Sequence, residues 1–132
     1  MQALNWPAIV LAAIGSFLLG GPWYSKKVFG ALWGREAGQT AAPSRPKHPA
    51  KVFAVSFVFS LVAATAFAWW LGPQPTLATA LGRGLIAGAC FVATSFGINY
   101  QFAGRSTRLW LIDGGYHAAQ FAIYGLVIGL WR

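Results

Sequence analysis

Charge is what this sequence has least of: 9% of its 132 residues are charged, where an average soluble domain carries about 25%. So few charges cannot give a water-facing surface to a domain of this length, which excludes an ordinary soluble globule. Acidic residues number two, Glu36 and Asp113. Glu36 falls in a loop, so no pair of carboxylates stands ready for general acid–base work. Cysteine occurs once, as Cys90 within an apolar run, which excludes an intrachain disulfide and leaves the redox compartment unread. Of the two histidines, His48 is alone in a loop. A single intramembrane His would ligate haem only if two subunits supplied one each, and no metal constellation is visible. No cofactor and no metal are expected. A phosphate-cradling Gly loop and a nucleophile elbow are also missing from any strand–turn–helix context, which leaves catalysis without visible machinery. At the N-terminus, Met1 to Asn5 has no positive n-region and the apolar run that follows is too long for a signal h-region, so no cleavable signal is expected.

What is abundant is apolar sequence, 57% of residues, with a mean hydropathy of +0.55. A helix needs about 20 apolar residues to cross the hydrocarbon core. Four segments meet that length, at about residues 2–25, 52–71, 76–100 and 109–131. The first two carry no charge; the third contains Arg83 and the fourth Asp113. The runs are continuous, without a period of two, so helices are expected rather than strands. The fold class is an all-α membrane protein: one domain, a four-transmembrane-helix bundle with a short interfacial helix after the first span. That helix follows the Gly20-Gly21-Pro22 interruption, where Val28, Phe29, Leu32 and Trp33 oppose Lys26, Lys27 and Arg35. The alternative is a frayed extension of the first span. Within the cytoplasmic linker 26–51, Gln39 to Pro49 carries Pro43, Pro46 and Pro49 and reads as flexible or extended.

The net charge of +8 would suggest nucleic acid in a soluble protein, but the basic residues sit between apolar runs and form no separate domain, so no nucleic acid is expected. Lys26, Lys27, Arg35, Arg45, Lys47 and Lys51 fill the first gap, and Arg105 and Arg108 the third. Basic loops stay cytoplasmic. Both termini and the turn Gly72-Pro73-Gln74-Pro75 are therefore expected outside a bacterial inner membrane, with membrane lipid as the surrounding partner. Tryptophan agrees: Trp6, Trp69, Trp70 and Trp131 fall near the outer ends of spans, Trp23 and Trp110 near the inner ends, and Trp33 just beyond.

Small residues recur four apart in each span, including Ser56-Ser60-Ala64-Ala68, Gly84 with Gly88, and Gly125 with Gly129. In lipid, such runs let helices approach closely. They serve either packing inside the bundle or, at Gly125 and Gly129, a homodimer seam.

Polar residues in the fourth span follow a helical stripe: Asp113, Tyr116, His117, Gln120 and Tyr124. Their spacing places them on one face. An unpaired ionisable group in the bilayer costs at least about 2.5 kcal/mol, so this face is expected to point inward. Asp113 and His117, one turn apart, could share a proton. Matching depths on antiparallel helices pairs Arg83 with Tyr124 or Gln120, and Asp113 with Ser95, Asn99 or Tyr100. Arg83 and Asp113 are about 10 Å apart in depth, so no direct ion pair between them is expected; Arg83 snorkelling to the outer head groups is the alternative.

Two stretches carry a resemblance. Asn5-Trp6 followed by G-G-P-W-Y-S-K-K-V-F-G, Gly20 to Gly30, resembles the N-terminal signature of a small bacterial membrane-protein family, domain of unknown function 1761. Its spacing is matched by Trp23, Tyr24, Ser25, Phe29, Gly30 and Trp33. Leu111-Ile112-Asp113-Gly114-Gly115-Tyr116-His117 resembles the C-terminal signature. In the family pattern Pro follows the Tyr-Ser pair; here Lys26 stands there and Pro22 takes over the break. The resemblance implies a four-span membrane protein and no assigned activity.

Three roles compete. One is a structural or accessory membrane protein, in which the polar face fixes helix register. Another is a small oligomeric transporter or channel, passing protons or a polar solute along Asp113, His117 and Arg83. A lipid-modifying enzyme near Trp23-Tyr24-Ser25 is the third. The first demands least of the sequence.

Overall fold

The computed structural model of this chain describes residues 3–38 and 48–131. Most of the Gln39–Pro49 linker, together with Arg45, Lys47 and Arg132, lies outside the described residues, which are helical with no strand among them. Five helices follow in order: α1 Trp6–Trp23, α2 Gly30–Glu36, α3 Pro49–Leu71, α4 Leu77–Phe102 and α5 Thr107–Leu130.

Their ends are written in the sequence. Asn5, Thr76 and Ser106 cap α1, α4 and α5, each side-chain oxygen accepting from the backbone N–H three residues on. Pro7 and Pro49 stand in the first turns of α1 and α3, where a missing N–H is harmless. Gly72 stops α3 at φ +85°, a conformation that suits glycine. Pro22 lies in the last turn of α1, and the helix ends one residue later. Past it the chain folds back tightly, with Gly30 N–H donating to Ser25 O at 2.8 Å. A side chain at Gly30 would strike the Tyr24 carbonyl and Ser25.

Among the described residues, three helices, α1, α3 and α4, are both long and apolar enough to cross a membrane, where four apolar spans were expected. α5 has the length, at 24 residues, but its polar stripe and its glycines lower its apolarity. It is also the centre of the fold, packing most against α4, then α1, and least against α3.

The α4–α5 contact is antiparallel and made of backbone. A Cβ on Gly84 would meet the Phe121 carbonyl, one on Gly88 would lie 2.6 Å from Ala118 Cα, and one on Gly129 2.9 Å from Leu77 Cα. Gly125 abuts the Ala80 carbonyl. Gly125 and Gly129 thus pack against α4, the first of the two uses that the small-residue pattern allows them. In mid-α4 the segment Ala87–Val92 is a π-helix, a widening that periodicity alone did not reveal. Elsewhere, α3 leans on α1 and barely touches α4.

The two ends of the bundle differ. At one, Asn5 Nδ2 donates to the Trp131 carbonyl at 2.9 Å, joining the start of α1 to the end of α5. Trp6, Trp69, Trp70 and Trp131 are exposed there. At the other, α2 folds under the α4–α5 link, with Arg105 Nη1 3.5 Å from the Ala37 carbonyl and Arg108 3.8 Å from Glu36. The tryptophans of that end are not free anchors. Trp23 Nε1 donates to Ile112 O at 3.0 Å and Trp110 Nε1 to Ala93 O at 2.7 Å.

Candidate functional site

The polar stripe of α5 turns inward, and each of its members finds a partner in two separate networks.

The first surrounds Asp113, which is 7% exposed. Its Oδ1 accepts from Tyr24 Oη at 2.7 Å and from Trp33 Nε1 at 3.1 Å. Its Oδ2 accepts from Tyr100 Oη. The donors come from the residue after α1, from α2 and from α4, so one side chain ties three segments to α5. A carboxylate offers about four acceptor sites, and three of them are filled by these donors. Neighbouring rings close the cage: Tyr24 meets Trp33 edge-on at 6.0 Å and lies 5.4 Å from Tyr116. Phe29 packs on Trp23 at 4.9 Å, which positions the turn that delivers Tyr24.

The second network crosses the core. His117 Nδ1 meets Gln120 Oε1 at 2.7 Å, Gln120 Nε2 donates to Tyr124 Oη at 2.7 Å, and Tyr124 Oη donates to Ser60 O at 3.0 Å. Ser60 Oγ lies 2.8 Å from Tyr124 Oη and 3.0 Å from Ser16 Oγ. Ser16 Oγ ends the chain on the Ala13 carbonyl at 3.0 Å. An amide oxygen only accepts, so His117 Nδ1 carries the proton in this arrangement. Phe96 stacks on the imidazole at 4.7 Å and 29°, which fixes its plane. Tyr116 Oη donates to Ser16 O at 3.2 Å. Serines 16 and 60, which the small-residue pattern marks as packing positions, are therefore polar core members as well.

Asp113 and His117 do not bond to each other. Of the partners expected for Asp113, Tyr100 is there and Ser95 and Asn99 are not. Both of those are exposed, and Ser95 Oγ bonds back to Phe91 O at 2.7 Å in its own helix. Arg83 is exposed and does not approach Gln120 or Tyr124. Its guanidinium lies 5.7 Å from the Trp70 ring centroid and reaches the Leu71 carbonyl at 3.3 Å, an outward course. Ser25 Oγ is engaged by the Pro22 carbonyl at 2.7 Å. With Trp23 and Tyr24 also committed to α5, the Trp-Tyr-Ser segment serves as a latch here. Tyr24 and Trp33 as donors to Asp113 escaped the periodicity argument. Their signal was the pair of short motifs at opposite ends of the sequence, which converge here.

Between α1, α3 and α5 opens a cleft of about 870 Å³. Its walls include Phe17, Phe53 and Phe59, and its floor Tyr116, His117 and Gln120. Among the described residues, no group of three His, Cys, Asp or Glu side chains comes together.

A family model described as a protein of unknown function, DUF1761, matches residues 7–129. No curated protein and no solved structure matches the chain.

Proposed function

The chain belongs to the DUF1761 family of proteins of unknown function, and we propose that it is a multi-pass membrane protein with a structural or accessory role. In this role its intramembrane polar groups hold helices together rather than conduct. α5 crosses as a fourth helix sheltered by α1, α3 and α4. Its polar stripe is turned away from lipid, and the remaining surface carries side chains such as Leu18, Phe59 and Ile98 that suit acyl chains. The basic end, with Lys26, Lys27, Arg35, Lys51, Arg105 and Arg108, faces the cytoplasm of a bacterial-type inner membrane. The Asn5–Trp131 end, and with it both termini, faces out.

The observation that carries this role is the enclosure of Asp113 by three donors from three other segments. A carboxylate so enclosed is a fastening, and a conducting acid needs a path to water on each side. One feature favours transport instead: the cleft reaches His117. From His117, however, the hydrogen-bonded chain runs into the buried core and stops at Ala13 O.

Reconstitution into vesicles with an internal pH dye separates the two. Wild type, Asp113→Asn and His117→Ala should show the same proton flux as empty vesicles, with lower thermal stability in the variants. Flux above that baseline, lost in a variant that remains folded, would establish transport.

A further inference from the structure

We infer that the cleft between α1, α3 and α5 is a binding site for a long-chain carboxylic acid, whose acid group meets His117 Nε2 while its alkyl chain passes out between α3 and α4. This goes beyond the structural role: Tyr24, Ser60, His117 and Gln120 border the cleft, but the hydrogen bonds they make in the two networks are all to other protein groups and do not need it.

The cleft has the size of a small-molecule site, which spans about 300–1,000 Å³. Its composition is that of a lipophilic pocket with a few convergent polar groups: Phe17, Phe53 and Phe59 on the walls, His117 on the floor. The imidazole is held rigidly by Phe96 and by Gln120, and its second nitrogen is free. Nε2 has no hydrogen-bond partner among the described residues, and no buried side-chain nitrogen or oxygen among them is orphaned, so Nε2 is accessible on a residue that lines the cleft. With the proton on Nδ1, Nε2 accepts. A carboxylic acid supplies the O–H it lacks, and a proton shared or passed along that bond leaves a carboxylate against an imidazolium, equally well matched.

Charge on the segments that line the cleft favours an acid over an amine. Exposed Lys51 precedes Val52, which lines the cleft, and exposed Lys26 and Lys27 follow Tyr24, which also lines it. The acidic residues are engaged elsewhere, Asp113 in its cage and Glu36 beside Arg108. On the side where the alkyl chain leaves, α3 and α4 touch only sparsely. Phe59 of α3 and Val92 of α4 both line the cleft, and Phe59 is 69% exposed, so on this side the apolar wall continues onto the outer surface of the bundle. An alkyl chain can therefore stay among lipid tails while its acid group reaches His117, without the whole molecule leaving the membrane.

The test is a titration of the full-length protein in neutral detergent with carboxyl-¹³C palmitic acid, followed by the carboxyl resonance. Wild type should show saturable binding of one molecule per chain. Methyl palmitate, which lacks the acid proton and the charge, should bind at least about tenfold more weakly, as should palmitic acid to His117→Ala. Because His117 also touches Gln120, Ser56→Trp is the second variant. Ser56 is exposed and lines the cleft, and Ser56→Trp fills the space while leaving every hydrogen-bonding side chain of both networks in place. It should abolish binding at unchanged thermal stability. Absence of saturable binding to wild type, equal binding of the ester, or undiminished binding to folded Ser56→Trp would each overturn the assignment.

Discussion

Tyr24 and Asp113 are 89 residues apart in sequence and 2.7 Å apart in space, phenol donating to carboxylate. That contact joins the turn after α1 to the first half of α5, and with Trp33 and Tyr100 it engages both carboxylate oxygens. The two stretches through which the chain resembles its family meet there, and what they build is a fastening between the first and last long helices.

Asp113→Asn replaces an oxygen that accepts by an amide nitrogen that donates, and sets it against at least one of the three donors. The expected loss is about 1–3 kcal/mol of stability, read as a lower midpoint of thermal unfolding in detergent. An unchanged midpoint would mean the cage contributes nothing.

The α4–α5 seam should reject any added carbon. Gly84→Ala and Gly125→Ala each push a methyl group against a backbone carbonyl of the facing helix, where relief requires the helices to part. Overpacking of this kind costs about 1–3 kcal/mol. Gly82→Ala is the control in the same helix, since nothing lies within 4 Å of its added carbon, and it should be neutral or stabilising by up to about 1 kcal/mol. Equal effects at all three positions would argue against the seam.

Much of this was legible beforehand. The α5 stripe announced itself by period, and all five of its polar residues turn inward to partners, because a helix fixes which side chains share a face. Tyr100 as a partner for Asp113 followed from depth matching on antiparallel helices. Arg83, Ser95 and Asn99 failed the same test, since depth says nothing about rotation about the helix axis, and the π-helix at Ala87–Val92 alters that rotation within α4. Tyr24 and Trp33 share no helical face; a tight turn brings them together, and its geometry depends on Pro22 and Gly30 rather than on any period. Apolar length overstated α5 as an independent span, because its inward polar face dilutes the hydropathy that the other three keep.

The chain through the core should break at its middle. Ser60→Ala removes the hydroxyl between Tyr124 and Ser16, leaving Ser16 with the Ala13 carbonyl and Tyr124 with Ser60 O, for a modest loss of about 1 kcal/mol. Tyr124→Phe strips Gln120 Nε2 of its acceptor in a fully buried position and should cost more, about 1–3 kcal/mol. The reverse order in thermal unfolding would place the weight of the network elsewhere.

Orientation has its own check. In a Cys90→Ser background, Lys27→Cys and Lys51→Cys should be shielded from an impermeant maleimide in intact cells, and Gln74→Cys should be labelled. Labelling of Lys51→Cys from outside would reverse the proposed topology.

A double-mutant cycle on Tyr24→Phe and Asp113→Asn tests the central claim most directly, with unfolding measured in one detergent for wild type, both single variants and the pair. If the phenol and the carboxylate fasten α1 to α5, the losses fall short of additive, with a coupling of about 0.5–3 kcal/mol. Additive losses, with no coupling beyond error, would contradict it.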